Sequence, residues 1–286
     1  PDFCEVYPAH AAGSLCGRAM AAKRTSTIGY ERKYNAALQI RDRANFIKAL
    51  TINMPPAPDH FSRCSEINRR GPAVVEDLPP MEAWEPSVFA RKTKAKKALI
   101  LDVRSYVAFG GQHIPGSVAL DTGGNFSTFA GWVLPPQADI ALVVEDRAQA
   151  EEAAVSLRRV GIDRLKGFLD GGLFDWMKAG LPSDRVPQIS VHELRGMIKK
   201  KERMAIVDVR SLSEYAAGHI EGAVNIPAPD LRTKYRGLKK DVPTALVCGT
   251  GHRSNLGASL LRRRGFKDVR NVAGGMTGYT AAGYLK

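Results

Sequence analysis

AIVDVRSLSEYAAGHIEGAVNIP, residues 205–227, decides the fold, because a version of it already stands earlier in the chain as ALILDVRSYVAFGGQHIPGSVAL at 98–120. Asp102, Arg104, His113 and Gly116 each stand 106 positions before Asp208, Arg210, His219 and Gly222. The match continues through ALV at 141 and 245 and GG at 171 and 274, where the offset has drifted to 104 and then 103. Drift of two or three residues is what loop insertions and deletions produce. Residues 81–185 and 186–286 therefore read as two copies of one domain of about 100 residues.

Each copy alternates short β-branched runs with stretches of helical period, which predicts an α/β fold with a parallel sheet covered by helices. In the second copy AIVDV (205–209) and TALVC (244–248) read as buried strands, SEYAAG (213–218) as a short helix and SNLGASLLRRRG (254–265) as a helix ended by Gly265. DVRNV (268–272) and GGMTGYTAAG (274–283) supply the last strand and helix. Ser190, with Glu193 three residues on, reads as a capping box. AGLPSDRVPQ (179–188), rich in breakers, is the linker between copies.

The full chain has 286 residues, 44% of them hydrophobic and 25% charged, the composition of a globular protein. Apolar runs such as ALIL (98–101) fall far short of the roughly 20 residues that cross a bilayer, and no early stretch resembles a signal h-region. A cytoplasmic protein without a membrane partner is the expectation. The cysteines at 4, 16, 64 and 248 show neither zinc-site spacing nor the density of a disulfide scaffold, so free thiols are expected. The net charge of +13 is uneven: Lys+Arg against Asp+Glu is 11 to 8 in residues 1–80, 13 to 13 in 81–185 and 18 to 8 in 186–286. An anionic partner for the last domain follows from that excess.

The same domain carries CGTGHRS, 248–254. A cysteine at the end of a buried strand is commonly an inert core residue. Here glycines, an arginine and a helix start follow at once. Gly249 and Gly251 let the backbone curl so that N–H groups converge, and the next helix directs its positive end to the same place. Such nests stabilise thiolates and can hold a further anionic sulfur. Arg253 closes the loop, and Ser254 is placed to cap the helix. The result is a nucleophile cradle with no general base required beside it.

With DVR, EYAAGHIEGAVNIP, CGTGHRS and VAGGM in that order, the second copy resembles a rhodanese domain over nearly all of residues 187–286. The resemblance implies that Cys248 takes a sulfane sulfur from a donor, becomes a persulfide and passes the outer sulfur to an acceptor thiol, sulfite or cyanide. It implies Cys248 and Arg253 as catalytic, with Gly249, Thr250, Gly251, His252 and Ser254 binding substrate, and no cofactor. It further implies that the six-membered loop Cys248–Arg253 serves sulfur transfer, whereas related phosphatases and arsenate reductases use seven. His219 is mostly structural in that family. His252 lies in the loop and could touch substrate. Glu214 is a candidate partner for Arg253, and Asp208 and Arg210 are expected to stabilise a strand end.

Without a gap, VVEDRAQ (143–149) aligns so that Val144 takes the place of Cys248, Glu145 of Gly249, Arg147 of Gly251 and Gln149 of Arg253. Two carboxylates, Glu145 and Asp146, now stand where an anion would bind. The first copy resembles an inactive rhodanese homology domain with a structural role.

Residues 1–80 lie outside the repeat. RRGPAVVEDLPPMEAWEP, from Arg69, has linker composition, and so few strands are not expected to complete a core. VYPAHAAGS with STIGYERKYN resembles the C-terminal end of a metallo-β-lactamase-fold domain, particularly of persulfide dioxygenases fused to rhodaneses. In that fold YPAH brings a histidine, here His10, to the metal cleft. The HxHxDH stretch and later ligands are absent, and one histidine does not hold a metal. Iron, or zinc, is implied only for an upstream domain, and the chain reads as the C-terminal part of a longer sulfide or persulfide detoxification enzyme.

The expected partners are anionic small molecules, namely thiosulfate, sulfite and glutathione or coenzyme A persulfide, and a homo-oligomer is compatible with the sequence. A different class of reading makes the basic domain a docking module for a protein or for RNA thiolation. Against it, KKKER and RRRG lack interleaved aromatics and read as solvated helix ends, so nucleic acid is not the expected partner. Val144→Cys restores only the sulfur to the first copy and is expected to give that copy no turnover of thiosulfate, measured as sulfite release.

Overall fold

The computed structural model describes residues 1–8, 25–52, 57–123 and 125–285. The chain divides into two compact units, residues 1–57 and 58–286. In the first, β1 (Glu5–Val6) pairs antiparallel with β2 (Ser26–Thr27). Helices Ile28–Tyr34 and Arg43–Thr51 follow, capped by Thr27 and Asp42, whose side chains accept from Tyr30 and Asn45 N–H. Neither helix buries a residue. His10 and Cys16 lie outside the described residues.

The second unit takes in helix His60–Arg70, where Arg63 donates to the Val160 carbonyl at 2.7 Å. The rest is two five-stranded sheets. In the first copy these are β3 (Glu82–Trp84), β4 (Leu99–Asp102), β5 (Val118–Ala119), β6 (Ile140–Val143) and β7 (Leu165–Leu169), in the order β3-β7-β6-β4-β5. In the second, β8 (Gln188–Ile189), β9 (Ala205–Asp208), β10 (Val224–Asn225), β11 (Thr244–Val247) and β12 (Val269–Val272) follow the order β8-β12-β11-β9-β10. All these pairings are parallel. The repeat in sequence is thus a repeat in topology.

Parallel strands joined by helices must bury both faces, so their residues are apolar without alternation. β6 and β11 are buried at every position. The pleat still sorts side chains: Leu246 and Cys248 enter one hydrophobic cluster and Ala245 and Val247 the other. In the first copy Leu142 and Val144 separate from Ala141 and Val143 in the same way. Val144 therefore occupies the position of Cys248.

The matching motifs build matching local structure. Asp208, wholly buried, receives the Arg210 guanidinium at 2.7–3.0 Å, and Arg210 also reaches the Gly218 carbonyl at 2.7 Å. Arg104 repeats this with Asp102 and the Gln112 carbonyl. A buried carboxylate is tolerated only with such a partner, and each pair ties the end of its strand to the loop that follows. His219 stacks on Tyr215, ring centroids 3.8 Å apart, and His113 on Phe109 at 3.9 Å. In each, Nδ1 also lies 2.9–3.0 Å from the carbonyl of that aromatic residue.

Helix His252–Arg263 joins the copies. Leu256 belongs to the first copy's core, whereas Leu261 belongs to the second's, together with Phe109 and Ala119 of the first. Ser259 Oγ accepts from Ala119 N–H on the edge strand β5 at 3.0 Å. Arg262 bonds to Asp184, and Arg263 to the Gly116 carbonyl. Arg263 and Arg264 are exposed at the helix end, as expected of RRRG, and Arg262 and Arg263 in addition fasten one copy to the other. The third, Arg264, lies over the Tyr235 ring at 5.0 Å.

Helix Gly275–Ala281 begins against the end of β11: Met276 and Thr277 N–H donate to the Cys248 and Gly249 carbonyls at 2.7 and 2.9 Å. A Cβ on Gly275 would stand 2.3 Å from the Cys248 oxygen, and its φ is +53°. The equivalent Gly172 has φ +61°, but a Cβ there would stand 3.2 Å from the Val144 oxygen. Both substitutions carry the left-handed backbone cost of about 1–2 kcal/mol, and only Gly275→Ala adds a backbone clash. Gly275→Ala is expected to cost about 3 kcal/mol or more against about 1 to 2 for Gly172→Ala, read by calorimetric unfolding.

Candidate functional site

Cys248 follows β11 directly and is 1% exposed. Its carbonyl is fixed by Met276 N–H, so the chain turns over the sulfur: Gly251 N–H donates to Sγ at 3.1 Å and Ser254 Oγ–H at 3.3 Å. Gly251 has φ +117°, the region that favours glycine, and is the N-cap of helix His252–Arg263. Two donors and a helix N-terminus at one buried sulfur complement lone pairs or negative charge. Ser254 does not cap the helix as expected. The helix begins two residues earlier, and the Ser254 hydroxyl bonds to Sγ and to the Gly251 carbonyl at 3.2 Å.

Arg253 lies beside this cradle, its Nη2 at 3.3 Å from where a Gly249 Cβ would sit, so a side chain there would crowd it. Glu214 holds it with two bonds of 2.7 Å. Glu214 is also fixed from its own helix, Leu212–Ala216, by the capping box with Ser211. The Arg253 hydrogen bond is the main reason the Glu214 carboxyl is lowered to about 2, and Glu214 in turn raises Arg253. Gly251 and Ser254 thus address the sulfur with Arg253 alongside, while His252 is exposed at the start of the helix and Thr250 at the loop tip.

Asn271 was not legible as a site residue. It is wholly buried on β12, and its Nδ2 donates to the Gly251 carbonyl at 3.1 Å and to Gln188 Oε1 at 2.7 Å. It thereby holds the peptide whose neighbour addresses Sγ. Strand register carries the signal: Asn271 pairs with Leu246 as Phe168 pairs with Leu142. In the first copy Arg147 lies over that phenylalanine at 5.4 Å.

The first copy also reaches the loop. Tyr106 packs against Gly251, where a Cβ would stand 3.2 Å from its ring, and Asp121 Oδ2 accepts from His252 Nδ1 at 2.7 Å. Among the described residues no three His, Cys, Asp or Glu side chains cluster as metal ligands would.

Fold and site define a paired α/β module with one cysteine-centred cradle. Residues 85–179 and 190–282 match the family model of the rhodanese-like domain, and the chain belongs to that family. It is 38% identical over 91 residues to thiosulfate sulfurtransferase GlpE of Pseudomonas putida (strain GB-1), over 32% of this chain and 79% of that protein. It is 33% identical over 95 residues to the putative sulfur carrier protein YrkF of Bacillus subtilis, over 33% of this chain and 51% of that protein. Among solved structures, a metallo-beta-lactamase from Staphylococcus aureus aligns with 30% identity over 59% of this chain and 45% of its own, at a TM-score of 0.47. The chain thus spans about half the length of YrkF and of that structure.

Glu214→Gln loosens Arg253 and is expected to lower kcat/KM for thiosulfate about tenfold. Because the folded carboxyl sits at about 2 against an ordinary 4.5, its contribution to stability is present above pH 4.5 and is lost as pH falls toward 2. The variant is expected to lose that slope in acid titrations of the melting temperature.

Proposed function

We propose that the second copy is a sulfurtransferase that works through a persulfide on Cys248. The observation that carries this is the convergence of Gly251 N–H and Ser254 Oγ–H on Sγ with Arg253 alongside. In the first step the Cys248 thiolate attacks the outer sulfur of thiosulfate or of a small persulfide. A new S–S bond forms, the donor's own S–S bond breaks, and sulfite or a thiolate leaves. Arg253 offsets the charge of the arriving anion, and the loop donors stabilise the sulfur left behind. GlpE, named a thiosulfate sulfurtransferase, matches over one copy's length, which supports thiosulfate as a donor.

The fasteners Arg262 and Arg263 are occupied within the chain, which weighs against reading the basic domain as a nucleic-acid surface. The first copy, with Val144 buried at the position of the nucleophile, transfers no sulfur and serves as scaffold and rim. For the N-terminal unit we propose a metallo-β-lactamase-fold origin beside a persulfide-oxidising iron centre, which would place the chain in sulfide or persulfide detoxification. That rests on the YPAH and STIGYERKYN motifs alone. No helix of the described residues is long and apolar enough to cross a membrane. We keep the cytoplasm as the expected compartment, since Cys4, Cys64 and Cys248 are free thiols.

Intact-mass measurement after exposure to thiosulfate or glutathione persulfide is expected to show a gain of one sulfur, about 32 Da, on Cys248. Cys248→Ser abolishes both the adduct and turnover. Absence of an adduct from either donor would remove the reading.

A further inference from the structure

The rim of the Cys248 cradle is built by both copies. Asp121, two residues past β5, accepts from His252 Nδ1 at 2.7 Å through Oδ2, while its Oδ1 accepts from Gly123 N–H at 3.2 Å. The Tyr106 ring stands edge-on to the same imidazole, centroids 4.8 Å apart. The Asp121 side chain is 14% exposed and that of His252 52% exposed, so the anchor is sheltered and the ring is open to a solute. A carboxylate only accepts, so in the neutral ring the proton sits on Nδ1 and Nε2 carries the lone pair. His252 follows Gly251, the residue whose N–H addresses Sγ. The arrangement has no counterpart around the first copy's loop, where Ala148 aligns with His252 and Pro227 stands at the repeat position of Asp121.

We propose that His252, aimed by Asp121 of the first copy, is the general base for an acceptor that arrives as a thiol. This rests on the sulfur-transfer reading and adds the acceptor class to it. Nε2 takes the S–H proton, and the acceptor thiolate attacks the outer sulfur of the Cys248 persulfide. The new S–S bond forms as the bond to Cys248 breaks. Cys248 leaves as a thiolate held by Gly251 N–H and Ser254 Oγ–H, and His252 returns its proton to solvent. Sulfite, as a dianion, has no proton to remove and needs nothing from His252. Asp121 is a positioning residue, and a mere latch between the copies would act on both acceptors alike.

The test loads Cys248 with sulfur from thiosulfate, removes the donor, and follows loss of about 32 Da on mixing with glutathione or with sulfite. Near pH 8 sulfite is largely the dianion, whereas most of a thiol with a pKa of about 8.5 is protonated. The readout is the ratio of glutathione to sulfite discharge within each protein, so partial misfolding scales both rates together. In Asp121→Ala and His252→Gln that ratio is expected to fall by about tenfold or more. Asp121→Asn keeps an oxygen for Nδ1–H and is expected to retain more of the ratio than Asp121→Ala. An unaltered ratio, whether both rates fall or neither does, overturns the proposal. So does discharge of the unsubstituted protein by sulfite but not by glutathione, which leaves sulfur transfer standing. Failure of the unsubstituted protein to load sulfur overturns both.

Discussion

The second copy depends on one contact, the seating of helix Gly275–Ala281 on the end of β11. Its first amides take up the Cys248 and Gly249 carbonyls, which a side chain on Gly275 would prevent. Once those two oxygens are satisfied from below, the chain beyond them is free to turn over the sulfur with its N–H groups inward. Asn271 fixes the next carbonyl, Gly251, from the adjacent strand. The sulfur is addressed by donors because the acceptors nearby are already engaged, which is the accounting that buried polar groups demand.

The first copy retains the close packing and carries the buried Val144 at the position of Cys248. Gly172 starts its helix in the same left-handed backbone beside the Val144 carbonyl, and Arg104 holds Asp102 as Arg210 holds Asp208. Scaffold and site are therefore separable in this molecule: the glycines and buried ion pairs recur in both copies, whereas the cysteine-centred loop from 248 to 254 stands in the second. The first copy contributes Tyr106 and Asp121 to the rim of its neighbour's loop.

The repeat, the parallel sheets, the Ser190–Glu193 capping box and the cysteine loop were legible because each depends on residues close in sequence or on spacing seen twice. The Arg253–Glu214 pair was reachable as a candidate, since a short helix with a free carboxylate precedes the loop in the same copy. The Asp121–His252 bond was not, because it spans 131 positions and two copies, and periodicity carries no record of how two domains dock. Ser254 was misassigned for a local reason: the helix starts at His252, two residues ahead of the expected cap, and the hydroxyl is drawn to the sulfur. Arg263 and Arg264 are exposed, as a helix end beside a glycine usually is, whereas the bonds of Arg262 and Arg263 to the other copy depend on docking that local sequence does not record.

Helix His252–Arg263 gives side chains to both cores, Leu256 to the first and Ala258 and Leu261 to the second. Two domains that share an element do not melt independently, because unfolding either exposes apolar surface belonging to both. The helix that starts at the sulfur is thus also the hinge pin of the pair's cooperativity. The first copy's fold is not free to drift, since loosening it would loosen the register of the loop that holds Cys248.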